Sequence, residues 1–193
     1  MKTTQKDVIE ELSSITTQII ESAKSYTLLD DSILFGRTEP QKWSIIECLE
    51  HLNLYGDFYI PKIQHFISTR PASSPAQYFK PGFWGGYFAK SMKVNSKGGA
   101  AWKMKTFKDK NPLGMTANRS VLDRFIGQQE RYHTLLLQAA HTDLHSKGIP
   151  ITITSLIKLR LGDALRFTIY HNERHWQQAE RTKEAIPLKQ KQG

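Results

Sequence analysis

The chain has 193 residues, a formal net charge of +9, 39% hydrophobic residues and one cysteine, Cys48. That length fills one core and is short for two, so a single domain over residues 1–193 is expected. One cysteine excludes an internal disulfide or a thiolate metal cluster; with no signal-like apolar run at Met1 and no stretch of eighteen apolar residues, a cytoplasmic protein outside the membrane is expected.

Val8, Leu12, Ile15, Ile19, Ala23 and Tyr26 recur at spacings of three and four, which predicts a first amphipathic helix over roughly residues 4–28. Asp30-Asp31 and the stretch from Gly36 to Gln41 interrupt it. A second helix is predicted from Trp43-Ser44 to about Ile67, opened by a capping box in which Ser44 is followed three residues later by Glu47. Pro61 lacks a backbone donor and collides with the preceding turn, so a kink or break near Asp57 is expected.

Residues 70–116 are interrupted by ten prolines and glycines and form a long crossover, with a short helix expected near Trp84 to Met92. Between Arg70 and Lys110 stand nine basic residues against one acid, Asp109, so this segment carries +8 of the +9. Its aromatics are too many for a disordered linker, which predicts that it lies against the body. A third helix is predicted over Ala117–Asp143, an extended piece over Ile151–Leu159, and a fourth helix over Gly162–Ala185, ended by Pro187. The sum is an all-α four-helix bundle with a long crossover between helices 2 and 3.

On the fourth helix Phe167, His171, His175 and Gln178 share a face; on the second Trp43, Glu47, His51 and Tyr55 do the same. In a helix, His171 and His175 stand about 6 Å apart along the axis and about 40° apart around it, so both rings can reach one ion. If the two faces meet, His51 completes a set of three imidazoles with a position left for water or substrate. Imidazole suits zinc, copper, iron or nickel alike. A single histidine on an amphipathic helix is more often a half-exposed polar residue than a ligand, and spacing alone leaves both readings open. His141 and His145 have the same spacing but stand at the end of the third helix, where capping and solvent are the expected roles.

Trp43-Ser-Ile-Ile-Glu-Cys-Leu-Glu-His51-Leu resembles the Trp-Ser-x-x-Glu-x-x-x-His-Leu motif of the DinB-like (damage-inducible, YfiT-type) proteins, and His171-Asn-Glu-Arg-His175-Trp-Gln-Gln178 resembles their His-x-x-Arg-His-x-x-Gln run. The motifs keep the family's order and separation. The resemblance implies a four-helix bundle, a metal triad on His51, His171 and His175, and nickel or zinc as the divalent ion. It further implies possible kinship with thiol S-transferases and isomerases that use a low-molecular-weight thiol, and a possible homodimer.

Glu47 is a candidate to accept the second ring hydrogen of His51 or to pair with Arg174, and Gln178 a candidate to orient a ligand at the open position. The expected function is a metal-dependent hydrolase or thiol S-transferase acting on a small molecule, with a non-catalytic, stress-related metal- or ligand-binding protein as the alternative. Lysines interleaved with Trp84, Trp102 and Phe107 raise nucleic acid as a partner, but lysine-rich loops are usually solvated and no nucleic-acid signature is present, so none is expected.

Overall fold

A computed structural model describes residues 3–70, 76–94 and 106–190. Six α-helices lie among them: α1 (Gln5–Tyr26), α2 (Asp31–Leu34), α3 (Ile45–Ser68), α4 (Phe83–Met92), α5 (Ser120–Ala139) and α6 (Leu161–Gln190). The four long ones, α1, α3, α5 and α6, form the all-α bundle. Within it α5 and α6 each pack against both α1 and α3, so α3 and α6, the two histidine-bearing helices, are neighbours. No described helix is long and apolar enough to cross a membrane.

Both long N-terminal helices begin on reciprocal capping boxes. Thr4 Oγ1 accepts from the Asp7 amide on α1, and Ser44 Oγ accepts from the Glu47 amide on α3, with each acid returning a bond to the cap's own amide. The expected break in α3 does not occur: the helix runs unbroken through Pro61. A proline removes one intrahelical bond, and here fully buried neighbours such as Ile60 and Ile63 hold both sides of the turn by packing. The fourth predicted helix likewise continues past Pro187, to Gln190, rather than stopping at Ala185. By contrast α5 is shorter than the predicted 117–143, because Asn118 Oδ1 accepts from the Ser120 amide at 2.9 Å and starts the helix there.

The expected extended piece at 151–159 also shifts. Its alternation belongs to a connecting loop, while the strands flank it as β1 (Lys147–Pro150) and β2 (Lys158–Arg160), paired antiparallel. Backbone pairing, not side-chain alternation, decides so short a hairpin.

The crossover does lie against the body. Its helix α4 packs on α6, and the contact is close: a Cβ on Gly85 would fall 2.3 Å from Asp163 Cγ. Asp163, fully buried on α6, accepts from the Gly82 amide at 2.8 Å at the start of α4. A three-residue 3-10 turn, Lys108–Lys110, closes the crossover near α3. Trp102, Lys97, Lys103 and Lys105, which the sequence counts among the basic and aromatic residues of this segment, lie outside the described residues.

The apolar core falls into two clusters, one around Leu12, Tyr59, Ile63, Tyr132, Leu136 and Leu165, the other around Ile19, Ile46, Leu49, Leu122, Phe125 and Ala179. Between them runs a layer of buried polar side chains: Thr16 on α1, His51 and Asn53 on α3, Gln128 and Gln129 on α5, and His171 and Asn172 on α6. Within the layer the Asn172 amide donates to Gln129 Oε1 at 3.0 Å, and the Gln128 amide donates to the Asn53 carbonyl at 3.2 Å.

Candidate metal centre

His51 enters the polar layer from the second turn of α3, and His171 and His175 enter it from successive turns of α6. The three rings meet. Their centroids are separated by 4.6 Å (His51 to His175), 4.8 Å (His171 to His175) and 5.0 Å (His51 to His171), and one ligand nitrogen from each lies within 4.8 Å of the others. His51 Nε2 and His171 Nε2 stand 3.2 Å apart. Two nitrogens bound tetrahedrally at zinc distances are about 3.3 Å apart, so this pair already has ligand spacing.

Hydrogen-bond partners fix which nitrogens are available. His51 Nδ1 is 2.6 Å from the Lys110 carbonyl oxygen, a contact that needs the hydrogen on Nδ1 and leaves the lone pair on Nε2. His175 Nδ1 donates to Gln178 Oε1 at 3.0 Å, which turns its Nε2 lone pair to the cluster in the same way. Trp43 lies against His51 and His175, with centroids 4.8 and 5.5 Å away, while Tyr55 and Phe167 pack on His171 at 4.5 and 5.9 Å. The rings are thus wedged as well as hydrogen-bonded.

The electrostatics agree with this geometry. Burial pushes His51 down to about 4, with the positive charges of Lys110 and Arg174 adding to the depression and the Lys110 carbonyl opposing it. Burial, followed by the neighbouring histidines and Arg174, holds His171 well below its ordinary value, and His175 is depressed by burial, His51 and Arg174. All three are therefore neutral at pH 7, the form in which imidazole donates to a metal. Three ring nitrogens within 4.8 Å of one another, two of them on rings whose opposite hydrogens are already bonded to oxygens, fit a divalent ion, and the three histidines could form a metal site.

Other candidate residues stand elsewhere than expected. Glu47 does not reach His51: it caps α3 and is paired with Arg37, whose Nε donates to Oε2 at 2.9 Å. The capping box already turns the carboxylate back toward the Ser44 amide, away from the ring one turn on. Arg174 therefore does not pair with Glu47; its Nη1 donates to the Ser91 carbonyl at 3.3 Å and its side chain borders the site. Gln178 orients His175 rather than facing the open position. His145 holds the crossover, its Nε2 accepting from the Lys80 amide at 3.0 Å, and His141 is exposed, so this equally spaced pair forms no cluster.

Sequence reasoning missed the Lys110 carbonyl, which no side-chain pattern announces, and Arg37, which lies ten residues before its partner in an irregular stretch. Met92 of α4 with Thr106 and Phe107 of the crossover, also unassigned beforehand, join Tyr55, Arg174 and the three histidines around a small cleft open at its mouth.

An all-α bundle in which a neutral histidine triad on two neighbouring helices faces a small cleft defines the class as bundle proteins with a metal-competent polar centre. More narrowly, the chain belongs to the DinB superfamily, whose family model matches residues 10–179, a span that includes all three histidines. Searches of curated proteins and of solved structures gave no match.

Proposed function

We propose that this protein binds a divalent ion, nickel or zinc, through His51, His171 and His175, and uses it as a hydrolase or thiol S-transferase on a small molecule. The observation that carries the reading is the pair of fixed tautomers: Lys110 O and Gln178 Oε1 take the Nδ1 hydrogens of His51 and His175, so both rings offer Nε2 to one point. An ion held there would act as a Lewis acid, making a water or thiol in the open position more acidic. The remaining residues bind and orient. Tyr55 packs on His171 and borders the cleft, and burial raises its phenol to about 12, so at neutral pH its hydroxyl is protonated and able to donate to an anionic group. Arg174, on the same border, supplies positive charge beside the triad.

A second reading, a non-catalytic binding protein, is favoured by one observation. No carboxylate is among the described residues that line the cleft, so no side-chain general base stands ready beside the triad. Elemental analysis of protein purified without a histidine tag tests the site. Wild type should carry about one equivalent of ion, and His175→Ala should carry almost none; equal content in both would place the ion elsewhere. Turnover of thiol or ester substrates that is lost in His171→Ala would separate an enzyme from a binder.

A further inference from the structure

The histidine cleft is one half of a larger depression. Beside it lies a shallow chamber open to solvent, and Tyr55, Met92 and Phe107 form walls of both. Away from the histidines the chamber is lined by Tyr59, Phe88 and Phe167 together with Ile151, Ile153 and Leu159. Among the described residues Thr152 is its one other lining residue, so hydrogen-bonding groups are few there and the surface they form is mainly aromatic and aliphatic.

The two halves are joined by a continuous row of rings. Phe167 stacks on His171 with planes 18° apart, and Phe88 meets Phe167 edge-on at 6.4 Å. At the mouth, Ile153 is 58% and Phe107 42% exposed, apolar surface that a ligand entering the chamber would cover. The loop between β1 and β2 supplies Ile151 and Ile153, which gives that short hairpin a place in the site. Apolar walls next to a few convergent polar groups are the usual make-up of a small-molecule pocket, in which the apolar part supplies affinity and the polar part orientation.

We propose that the small molecule acted on at the triad is amphipathic, with its reacting polar group at His51, His171 and His175 and an aromatic or branched apolar group seated in the adjoining chamber. Short hydrophilic compounds would leave the chamber unfilled and be poor ligands. This rests on the metal reading above and adds the substrate class to it.

The test compares two hydroxamates with one metal-binding head: acetohydroxamate, which reaches only the ion, and 4-phenylbutanohydroxamate, which adds a phenyl-bearing tail. Calorimetric titration of metal-loaded protein should show the second binding at least roughly tenfold more tightly, the gain expected from burying a ring. Ile153→Asp at the mouth and Phe88→Ala in the wall should each erase most of that advantage, with metal content and melting temperature read as checks of loading and folding. Equal affinity of wild type for the two hydroxamates overturns the proposal. Chelator-treated protein keeps the chamber testable on its own: 4-phenylbutanol should raise its melting temperature where ethanol at equal concentration does not. That shift in ion-free protein would support the chamber independently of the triad and its absence would count against the chamber, whereas untreated protein that carries no ion would count against the metal reading alone.

Discussion

At the scale of single residues, the triad is held by groups that do not themselves face its centre. Gln178 Oε1 is the acceptor that fixes the His175 ring. Removing such an outer partner typically costs about 10–100-fold in metal affinity. Gln178→Ala should weaken metal binding by roughly that factor while leaving the fold intact, measured by competition with a chromophoric chelator. Glu47 belongs to a different system. Its burial favours the neutral acid, but the Arg37 guanidinium and the Ser44 cap outweigh this and hold its carboxyl below the ordinary value of 4.5. A depressed carboxyl adds stability that is fully present above the unfolded-state value and is lost as pH falls through the folded one. Melting temperatures of wild type should therefore drop more steeply than those of Glu47→Gln on acidification below about pH 4.5, whereas above it the wild type should be the more stable.

At the scale of elements, α4 is the piece that builds the cleft's wall without belonging to the bundle's four long helices. It is secured through Asp163, whose carboxylate accepts from the Gly82 amide, and by the absence of a side chain at Gly85. Burial raises Asp163 above its ordinary value despite Gly82 and the nearby arginines. Its charged form is therefore unfavourable in the fold, and the cost builds as pH rises from the unfolded-state value of about 3.8 to the folded one and stays constant above it. Asp163→Asn keeps an acceptor for Gly82 and removes the charge, so in thermal melts it should gain on wild type as pH is raised above the unfolded-state value of about 3.8, the gain levelling off once the folded carboxyl has ionised. Asp163→Ala orphans the amide and should cost about 1–3 kcal/mol. The long helices, the Ser44 capping box, α4 and the His171/His175 pair are legible in the sequence, because each leaves a local trace: a period near 3.6, a cap three residues before its acid, a histidine four residues from the next. His51 joins the pair only through the family motif in which it stands. At Pro61 packing of the buried neighbours Ile60 and Ile63 overrides the local rule, while α6 continues through Pro187 to Gln190. The partners of Glu47 and His51 were not legible, since they depend on which irregular segment folds over which helix end.

At the scale of the whole molecule, the bundle is two apolar clusters separated by a polar layer, and the triad is one edge of that layer. Such a layer is most stable where its members satisfy one another, and here that holds only in part, since Asn53 Oδ1 and Gln128 Oε1 are buried without a hydrogen-bond partner. Asn172 and Gln129 are one closed pair, joined at 3.0 Å. Asn172→Leu alone should cost about 1–3 kcal/mol in denaturant unfolding, by leaving the Gln129 oxygen buried and unpaired. Adding Gln129→Leu should recover much of that loss, and a double mutant as unstable as the sum of the singles would show that the pair is not coupled. Among the described residues, the hydrogen bond between the long crossover and the triad is made by a backbone atom, the carbonyl oxygen of Lys110, which accepts from His51 Nδ1. Because every amino acid carries that oxygen, a saturation scan across the site will score position 110 as tolerant of nearly any replacement. What grips the ring is the path of the chain, so the way to break the contact is a one-residue insertion or deletion ahead of the 108–110 turn, which would slide a different carbonyl past the imidazole.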